Sequence, residues 1–292
     1  MNYFNLLNHK LVIGTAQFGF KYGIANKKGI VSLEEGGIIL EYAKENGVNM
    51  LDTSFGYGDS ESKLGVIGVS EWQVVTKIVR VSEDKDIASQ VEKNIHLSLN
   101  RLKINSLYGV LFHNPDQLLG QSGFEVYSAL QKLKEEGIIG KIGISVYSTD
   151  ELESLISNFD FDIVQAPFNL FDRRLSETGW LTKLASANIE VHIRSVFLQG
   201  LLLMHPADRP TKFGRWNKLW AAYDNWLLEN NITALQACLN YVLDNPKINK
   251  CLVGIDSLEN IQEIISAVNT EIPVLPEYLN CNDLELINPH LW

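Results

Sequence analysis

Apolar and polar positions follow two rhythms along this chain. Short apolar runs that stop at a polar residue recur at 11–15, 48–52, 73–77, 107–113, 139–145, 161–167, 189–195 and 250–254. Each has the length of a β-strand buried on both faces. Longer stretches of helical period lie between them. Ile87, Val91, Ile95, Leu99 and Leu102 recur at three- and four-residue steps, as do Val126, Leu130 and Leu133, and each set makes one apolar helix face. The stripe returns in Leu152, Leu155, Ile156 and Phe159, in Leu235, Cys238, Leu239 and Val242, and in Leu258, Ile261, Ile265 and Val268. Ser32 ahead of Glu35 reads as a capping box, and Ser257 ahead of Asn260 as a helix cap.

Eight strands separated by helices are the pattern of an α/β protein whose parallel sheet closes into a single (β/α)8 TIM barrel. No linker, low-complexity tract or internal repeat divides the chain, so one domain over 1–292 is expected. The rhythm breaks at 201–228, after strand seven, where Pro206, Pro210, Gly214, Trp216, Trp220 and Trp226 make an extended insertion. Extra length there suits a lid or a substrate wall, with packing of an extra helix as the plainer alternative. The tail at 273–292 is apolar enough to pack on the barrel, at its mouth or on its far side.

At 292 residues and 46% hydrophobic, the chain can bury a large core. A net charge of -10 argues against nucleic acid or an anionic membrane as partner. No run reaches the ~18 apolar residues of a membrane span, and residues 1–10 lack the order of a signal peptide, so a soluble cytoplasmic protein is expected. Cys238, Cys251 and Cys281 are widely spaced, without a Cys-x-x-Cys, and read as reduced, buried small hydrophobes; no metal site is expected.

Asp52, Tyr57, Lys77 and His113 stand at or just past the ends of strands two, three and four. On a parallel barrel that face is where chemistry is built. A phenol gives up a proton more readily when a cation stabilises the phenolate, and Lys77 can be that cation. Asp52 would keep Lys77 protonated in a dry pocket, and His113 can orient the oxygen that receives the proton. Singly, each has an ordinary reading: a helix cap, a loop aromatic, a solvated strand end, a satisfied buried histidine. Together at one end of three strands they suit reduction of a carbonyl, or the reverse oxidation of an alcohol. Tyr57 and His113 polarise the oxygen without a metal, and the hydride must come from a cofactor. Gly14-Thr15-Ala16-Gln17-Phe18-Gly19 stands where a Gly-x-Gly-x-x-Gly would follow the first strand, which argues against a Rossmann site. Phe18, Phe55 and Asn114, with Tyr57, His113 and the Trp-rich insertion, are the substrate-pocket candidates, an aromatic wall suited to an aldehyde, a ketone or a sugar ring.

At these residues the chain resembles the aldo-keto reductase family. Leu51-Asp52-Thr53-Ser54 with Tyr57-Gly58 and Ser60-Glu61 is similar to its first signature. Thr76-Lys77 is similar to its lysine strand, and Phe112-His113-Asn114-Pro115-Asp116 to its histidine strand. Gly140-Lys141-Ile142-Gly143-Ile144-Ser145 and Gln165-Ala166-Pro167-Phe168-Asn169 resemble its fifth- and sixth-strand motifs, and Ser195-Val196-Phe197-Leu198-Gln199-Gly200-Leu201-Leu202 its pyrophosphate-binding loop. The segment from Gln17 to Asn26 is similar to a bacterial subgroup linked to surface-polysaccharide sugar pathways.

The resemblance implies NADPH as cofactor, with NADH as second choice. Tyr57 would be the general acid, Asp52 and Lys77 its activators, and His113 the orienter of the carbonyl. The dinucleotide would fall to Gly14, Thr15, Ala16, Asp52, Ser145, Gln165, Arg194, Ser195, Phe197, Gln199, Gly200, Gly254, Asn260 and Glu263. Three departures from the pattern stand out. Arg194 replaces an aromatic residue that stacks on the nicotinamide, and Val146 replaces an asparagine. The segment Gly254-Ile255-Asp256-Ser257-Leu258-Glu259-Asn260 lacks the Lys and Arg usual around an adenosine 2′-phosphate. Two other classes stay open on the residues: a regulatory nucleotide-sensing protein, and a sugar epimerase or isomerase that retains its nucleotide.

Overall fold

Eight parallel strands close into one barrel in chain order in the computed structural model, which describes residues 7–83 and 86–292. The first residues of the segment read for a signal sequence, 1–6, lie outside those described. The strands are β1 (Leu11–Gly14), β2 (Met50–Asp52), β3 (Gln73–Ile78), β4 (Gly109–Phe112), β5 (Ile142–Ser145), β6 (Ile163–Pro167), β7 (Glu190–Arg194) and β8 (Lys250–Gly254). All eight fall inside the runs read from the sequence or extend one by a single residue, as β3 does at Ile78. The expected (β/α)8 barrel is the observed architecture.

The helices are α1 (Leu33–Glu45), α2 (Ser60–Ile67), α3 (Ile87–Leu102), α4 (Gly123–Glu135), α5 (Leu152–Asn158), α6 (Trp180–Ser186), α7 (Asn217–Glu229), α8 (Ala234–Leu243) and α9 (Leu258–Ala267). They form the outer layer because their apolar stripes need the sheet's outer face. In α3 the five stripe residues Ile87, Val91, Ile95, Leu99 and Leu102 are all buried, and each such side chain contributes about 1.5–3 kcal/mol relative to exposure. Asp86 caps α3 by accepting from the Ser89 N–H, and Lys103 ends it in the left-handed region.

Side chains alternate across a strand, and this parity builds the mouth. Val12, Met50, Val75, Leu111, Ile163 and Leu252 form a separate apolar cluster inside the barrel. Two residues further along the same strands stand Gly14, Asp52, Lys77, His113, Gln165 and Gly254. The pleat that buries the cluster therefore aims these residues into the barrel's C-terminal opening. At the opposite end Glu190 pairs with Lys141 and accepts a hydrogen bond from Tyr108.

The insertion after β7 takes the plainer of its two readings. Trp220 and Trp226 are buried on α7 with Tyr223, and Trp220 packs against Phe171, so they make a helix core rather than a substrate wall. Arg209 clamps this segment with a bidentate pair to Asp224. The C-terminal tail crosses it: Trp292 packs edge-on against Phe213, and Trp216 donates to Asp283. The tail then reaches the mouth, where the His290 ring lies 4.2 Å from that of Tyr147.

The capping box read at Ser32 is half formed. Ser32 accepts from the Glu35 N–H, but the Glu35 carboxylate accepts at 2.7 Å from the backbone N–H of Leu258, at the start of α9. A long-range partner replaces the local one, and α1 is tied to α9. Among the described residues, no helix is long and apolar enough to cross a membrane.

Candidate active site

The polar centre of the mouth is a buried ion pair. Lys77 and Asp52 are 1% and 3% exposed, and Lys77 Nζ lies 2.5 Å from Asp52 Oδ1. Charges this dry need hydrogen-bond partners, and both have more than each other. Lys77 also donates to the Thr53 carbonyl at 3.0 Å, while Gln165 donates to Asp52 Oδ2 at 2.8 Å. Gln165 in turn accepts from the Ser145 hydroxyl at 3.0 Å. Ser145 and Gln165, expected against the dinucleotide, thus hold the carboxylate that holds the lysine. Gln165 lines the cavity, whereas Ser145 lies behind it.

Tyr57 stands over this pair, its ring centroid 5.1 Å from Lys77 Nζ. Phe20 and His113 both pack edge-on against the phenol, at 5.7 and 5.8 Å between ring centroids. Burial first, then the Asp52 carboxylate, push the Tyr57 phenol above its ordinary value, while Arg194 pulls it down. The phenol therefore holds its proton at neutral pH, as a proton donor must. The Asp52 carboxylate paired with Lys77 opposes the stabilisation that this ammonium offers a phenolate. Burial, then the Lys77 charge, lower the His113 imidazole to about 4. It is neutral at physiological pH and has one N–H to give. The Ser54 hydroxyl lies 3.4 Å from His113 Nδ1; a proton donated there leaves Nε2–H free for a ligand oxygen.

A cavity of about 310 Å³ runs from this centre across the mouth. Of the cofactor candidates, Gly14, Thr15, Ala16, Asp52, Gln165, Arg194, Ser195, Phe197, Gln199, Gly200, Gly254 and Asn260 line it. Glu263 does not, because it lies on the solvent side of α9. Of the substrate candidates, Phe18, Phe55 and Asn114 do not line the cavity. Phe18 is fully buried and packs on Gly36 of α1, since the short helix Ala16–Gly19 turns it outward. Phe55 lies under the Arg101 guanidinium, 4.3 Å from its ring centroid. Asn114 is exposed before the turn Pro115–Leu119 and does not line the cavity. Tyr22, Tyr57 and Phe197 are the aromatic residues that line it, with Phe20 packed edge-on against Tyr22 and Tyr57, and Tyr147 under the Arg194 guanidinium. Tyr147 could have been found from the sequence, standing two residues past Ser145; Phe20 and Tyr22 carry no periodic signal.

The loop after β7 is strained in a way that suits a bound anion. Ser195, Leu198 and Gln199 have φ of 59°, 48° and 54°, and Gly200 has 88°. Left-handed backbone in non-glycine residues costs of order 1–3 kcal/mol each and persists where the surroundings enforce it. Here Asn169, fully buried, donates to the Ser195 carbonyl at 3.0 Å while its own Oδ1 accepts from Phe171 and Asp172. At Gly200 a β-carbon would meet that of Ala25 at 2.6 Å, so the loop closes on the segment after β1 only with glycine there. A polar, glycine-lined trough beside a barrel's seventh and eighth strands fits an extended dinucleotide.

The far end of the trough is acidic. Asp256 and Asn260 line it. The Leu258 N–H at the α9 terminus, a natural anion site, is already taken by Glu35. Lys28 is paired with Glu259 at 3.1 Å.

The profile of the Aldo/keto reductase family matches residues 10–274. The uncharacterized oxidoreductase YqkF of Bacillus subtilis is 25% identical over 253 residues, spanning 79% of this chain and 81% of its own. L-galactose dehydrogenase of Arabidopsis thaliana is 30% identical over 254 residues, spanning 78% and 76%. The solved structure of aldo-keto reductase AKR11C1 from Bacillus halodurans has a TM-score of 0.73 at 19% identity, covering 90% of this chain and 88% of that one. Fold and relatives define a barrel oxidoreductase. Within that class, this chain belongs to the aldo/keto reductase family.

Proposed function

We propose that the protein is an NAD(P)H-dependent carbonyl reductase that converts an aldehyde or ketone, including the carbonyl form of a sugar, to an alcohol. The observation that carries this reading is the cavity whose inner end is bounded by Asp52 and Tyr57 above the dry Lys77–Asp52 pair. Gly14, Thr15, Gln165 and the loop from Ser195 to Gly200 would hold the dinucleotide, which supplies hydride when bound. Tyr57 holds the proton to be delivered to the substrate oxygen. His113, neutral, orients that oxygen through one N–H, and Lys77 stabilises the phenolate left behind. In the reverse direction the same phenolate accepts the proton of an alcohol. The name of the plant relative, L-galactose dehydrogenase, supports a sugar as substrate class.

For the cofactor, family resemblance points to NADPH. The carboxylates of Asp256 and Glu35 at the adenosine end oppose a 2′-phosphate, so we expect NADH to bind at least as tightly as NADPH. A panel of aldehydes and keto-sugars, followed at the reduced-nicotinamide absorbance band, tests the activity. Reduction of several members supports it. Nucleotide binding without turnover across the panel would favour a sensor, and product without net nucleotide consumption an epimerase.

A further inference from the structure

One guanidinium grips the Tyr57 loop from both ends. Arg101, in the last turn of α3, lies 4.3 Å over the ring of Phe55, which stands just ahead of Tyr57. Its Nη1 also lies 3.4 Å from Oε2 of Glu61, which follows Tyr57 at the start of α2. The segment from Phe55 to Glu61 is thereby closed into a ring by a side chain 40 residues beyond Glu61. Both grips are built. Glu61 is 1% exposed, and its other oxygen accepts at 2.8 Å from the hydroxyl of Thr76, next to Lys77 on β3. A carboxylate this dry needs its cation. Phe55 is tied to the same strand, its N–H donating to the Lys77 carbonyl at 3.1 Å. Helices α2 and α3 meet here through bare backbone, since a β-carbon on Gly65 would lie 1.9 Å from the Arg101 carbonyl oxygen. The base of the arginine is therefore fixed relative to the loop that it holds. None of Phe55, Glu61 and Arg101 lines the cavity.

We propose that Arg101 is a positioning residue of the reaction: from outside the cavity it holds the loop that presents the Tyr57 phenol over the Lys77–Asp52 pair. The inference rests on the carbonyl-reductase reading for the part played by Tyr57. Bonds inside the loop shape its turn, the Tyr57 N–H donating to the Ser54 carbonyl at 2.9 Å and the Ser60 N–H to the Tyr57 carbonyl at 3.0 Å. Such bonds travel with the loop. Its tilt toward Lys77 is set by what grips its ends, and among the described residues Arg101 is the side chain that grips both. A planar guanidinium suits the two tasks at once, stacking with its face and donating from its edge. An ammonium has no such face.

The test follows reduction of one accepted aldehyde by NADH in the full chain, in Arg101→Ala and Arg101→Lys, and in Leu99→Ala as a control on the same helix. Leu99 belongs to the buried stripe of α3, so its truncation destabilises the helix while leaving the guanidinium in place. Arg101→Ala should lower kcat about tenfold or more, within the scale of an ångström-sized misplacement, with the NADH dissociation constant changed by less than about twofold. Arg101→Lys keeps the charge without the plane and should recover part of the loss. The Arg101 side chain is 34% exposed, so millimolar guanidinium, far below denaturing levels, can enter the gap and should restore part of the kcat of Arg101→Ala. Leu99→Ala should lose stability in urea without that loss of kcat. Labelling with 3-fluorotyrosine gives a readout free of turnover. The Tyr57 fluorine line, identified by its absence in Tyr57→Phe, should shift in Arg101→Ala and stay in Leu99→Ala. Should Arg101→Ala fail to fold, Glu61→Gln, which removes the carboxylate's charge and keeps an acceptor for Thr76, carries the same comparison. An unchanged kcat overturns the proposal, as does an equal loss in Leu99→Ala without guanidinium rescue, which would make Arg101 a stabiliser of the fold alone. If no aldehyde is reduced, the reductase reading fails by itself. The fluorine line then decides: a shift confined to Arg101→Ala supports the grip on the loop, and an unmoved line overturns it.

Discussion

A β-carbon placed on Gly19 would lie 1.8 Å from the carbonyl oxygen of Tyr57, so the loops after β1 and β2 touch through bare backbone. The contact is reciprocal, since a β-carbon at Gly58 would lie 2.7 Å from the Gly19 carbonyl oxygen. The position of the phenol is thus set by a residue with no side chain. Gly19→Ala should displace Tyr57 and lower kcat by about a hundredfold, the cost of an ångström-scale misplacement. It should also destabilise the fold by about 1–3 kcal/mol through overpacking. Steady-state kinetics and urea denaturation measure the two effects, and an Ala variant with unchanged kcat would show that the loops move apart freely.

Tyr57→Phe removes the proposed proton donor while keeping the ring that packs on Phe20 and His113. Turnover should fall by about 10²–10⁴-fold, with the dissociation constant for NADH, read by tryptophan quenching, changed little. Full activity in this variant would remove Tyr57 from the mechanism.

The Lys77–Asp52 pair should behave as a unit. Breaking it from one side strands a charge at 1% or 3% exposure. Lys77→Met and Asp52→Asn should therefore each cost about 3–5 kcal/mol in stability. The double variant should cost clearly less than the two losses added together, because neither charge is then left alone. Additive losses in urea midpoints would mean that the two residues act independently.

Acid should weaken the protein through its histidines. Burial and the Lys77 charge lower His113 from 6.5 to about 4. Its neutral form is favoured by folding, so the stability tied to it is complete above pH 6.5. It is lost as pH falls towards 4, where the unfolded chain takes up the proton first. Burial lowers His192 as well, and that residue acts in the same direction. Melting temperature should therefore drop between pH 6.5 and 4, and His113→Asn should flatten part of that slope. An unchanged slope would place the titration elsewhere.

At the proposed adenosine end, Asp256→Ser should tighten NADPH several-fold while leaving NADH nearly unchanged, since on that reading only the 2′-phosphate meets the lost charge. The magnitude follows from one screened carboxylate, on the order of 1 kcal/mol. Fluorescence titration of both nucleotides gives the ratio. Equal gains for NADH and NADPH would mean that Asp256 does not face the phosphate.

Much of the site was legible because strand parity is a local property. Val75 and Lys77, or Ile163 and Gln165, stand two apart, and a strand that buries the first in the barrel must aim the second at the mouth. Loop residues offer no such rule. Phe18 looked like a pocket aromatic and instead fills the gap above Gly36, while Phe20, two residues on, packs on Tyr57. Trp220 and Trp226 were equally ambiguous until α7 buried them.

From its sequence alone this chain determined its eight strands, its helix faces and the quartet of Asp52, Tyr57, Lys77 and His113, because hydrophobic period specifies which side of each element is buried. Only the tertiary structure decided where distant groups meet. Glu35 caps a helix 223 residues away instead of closing its own capping box. Gln165 orients Asp52 across 113 residues, and Arg194 alone among the arginines ends without a described carboxylate partner. Period says which face turns inward, while the partner across the barrel follows from closure of the sheet. The charges at the mouth were therefore readable from the sequence one by one, and their pairing was not.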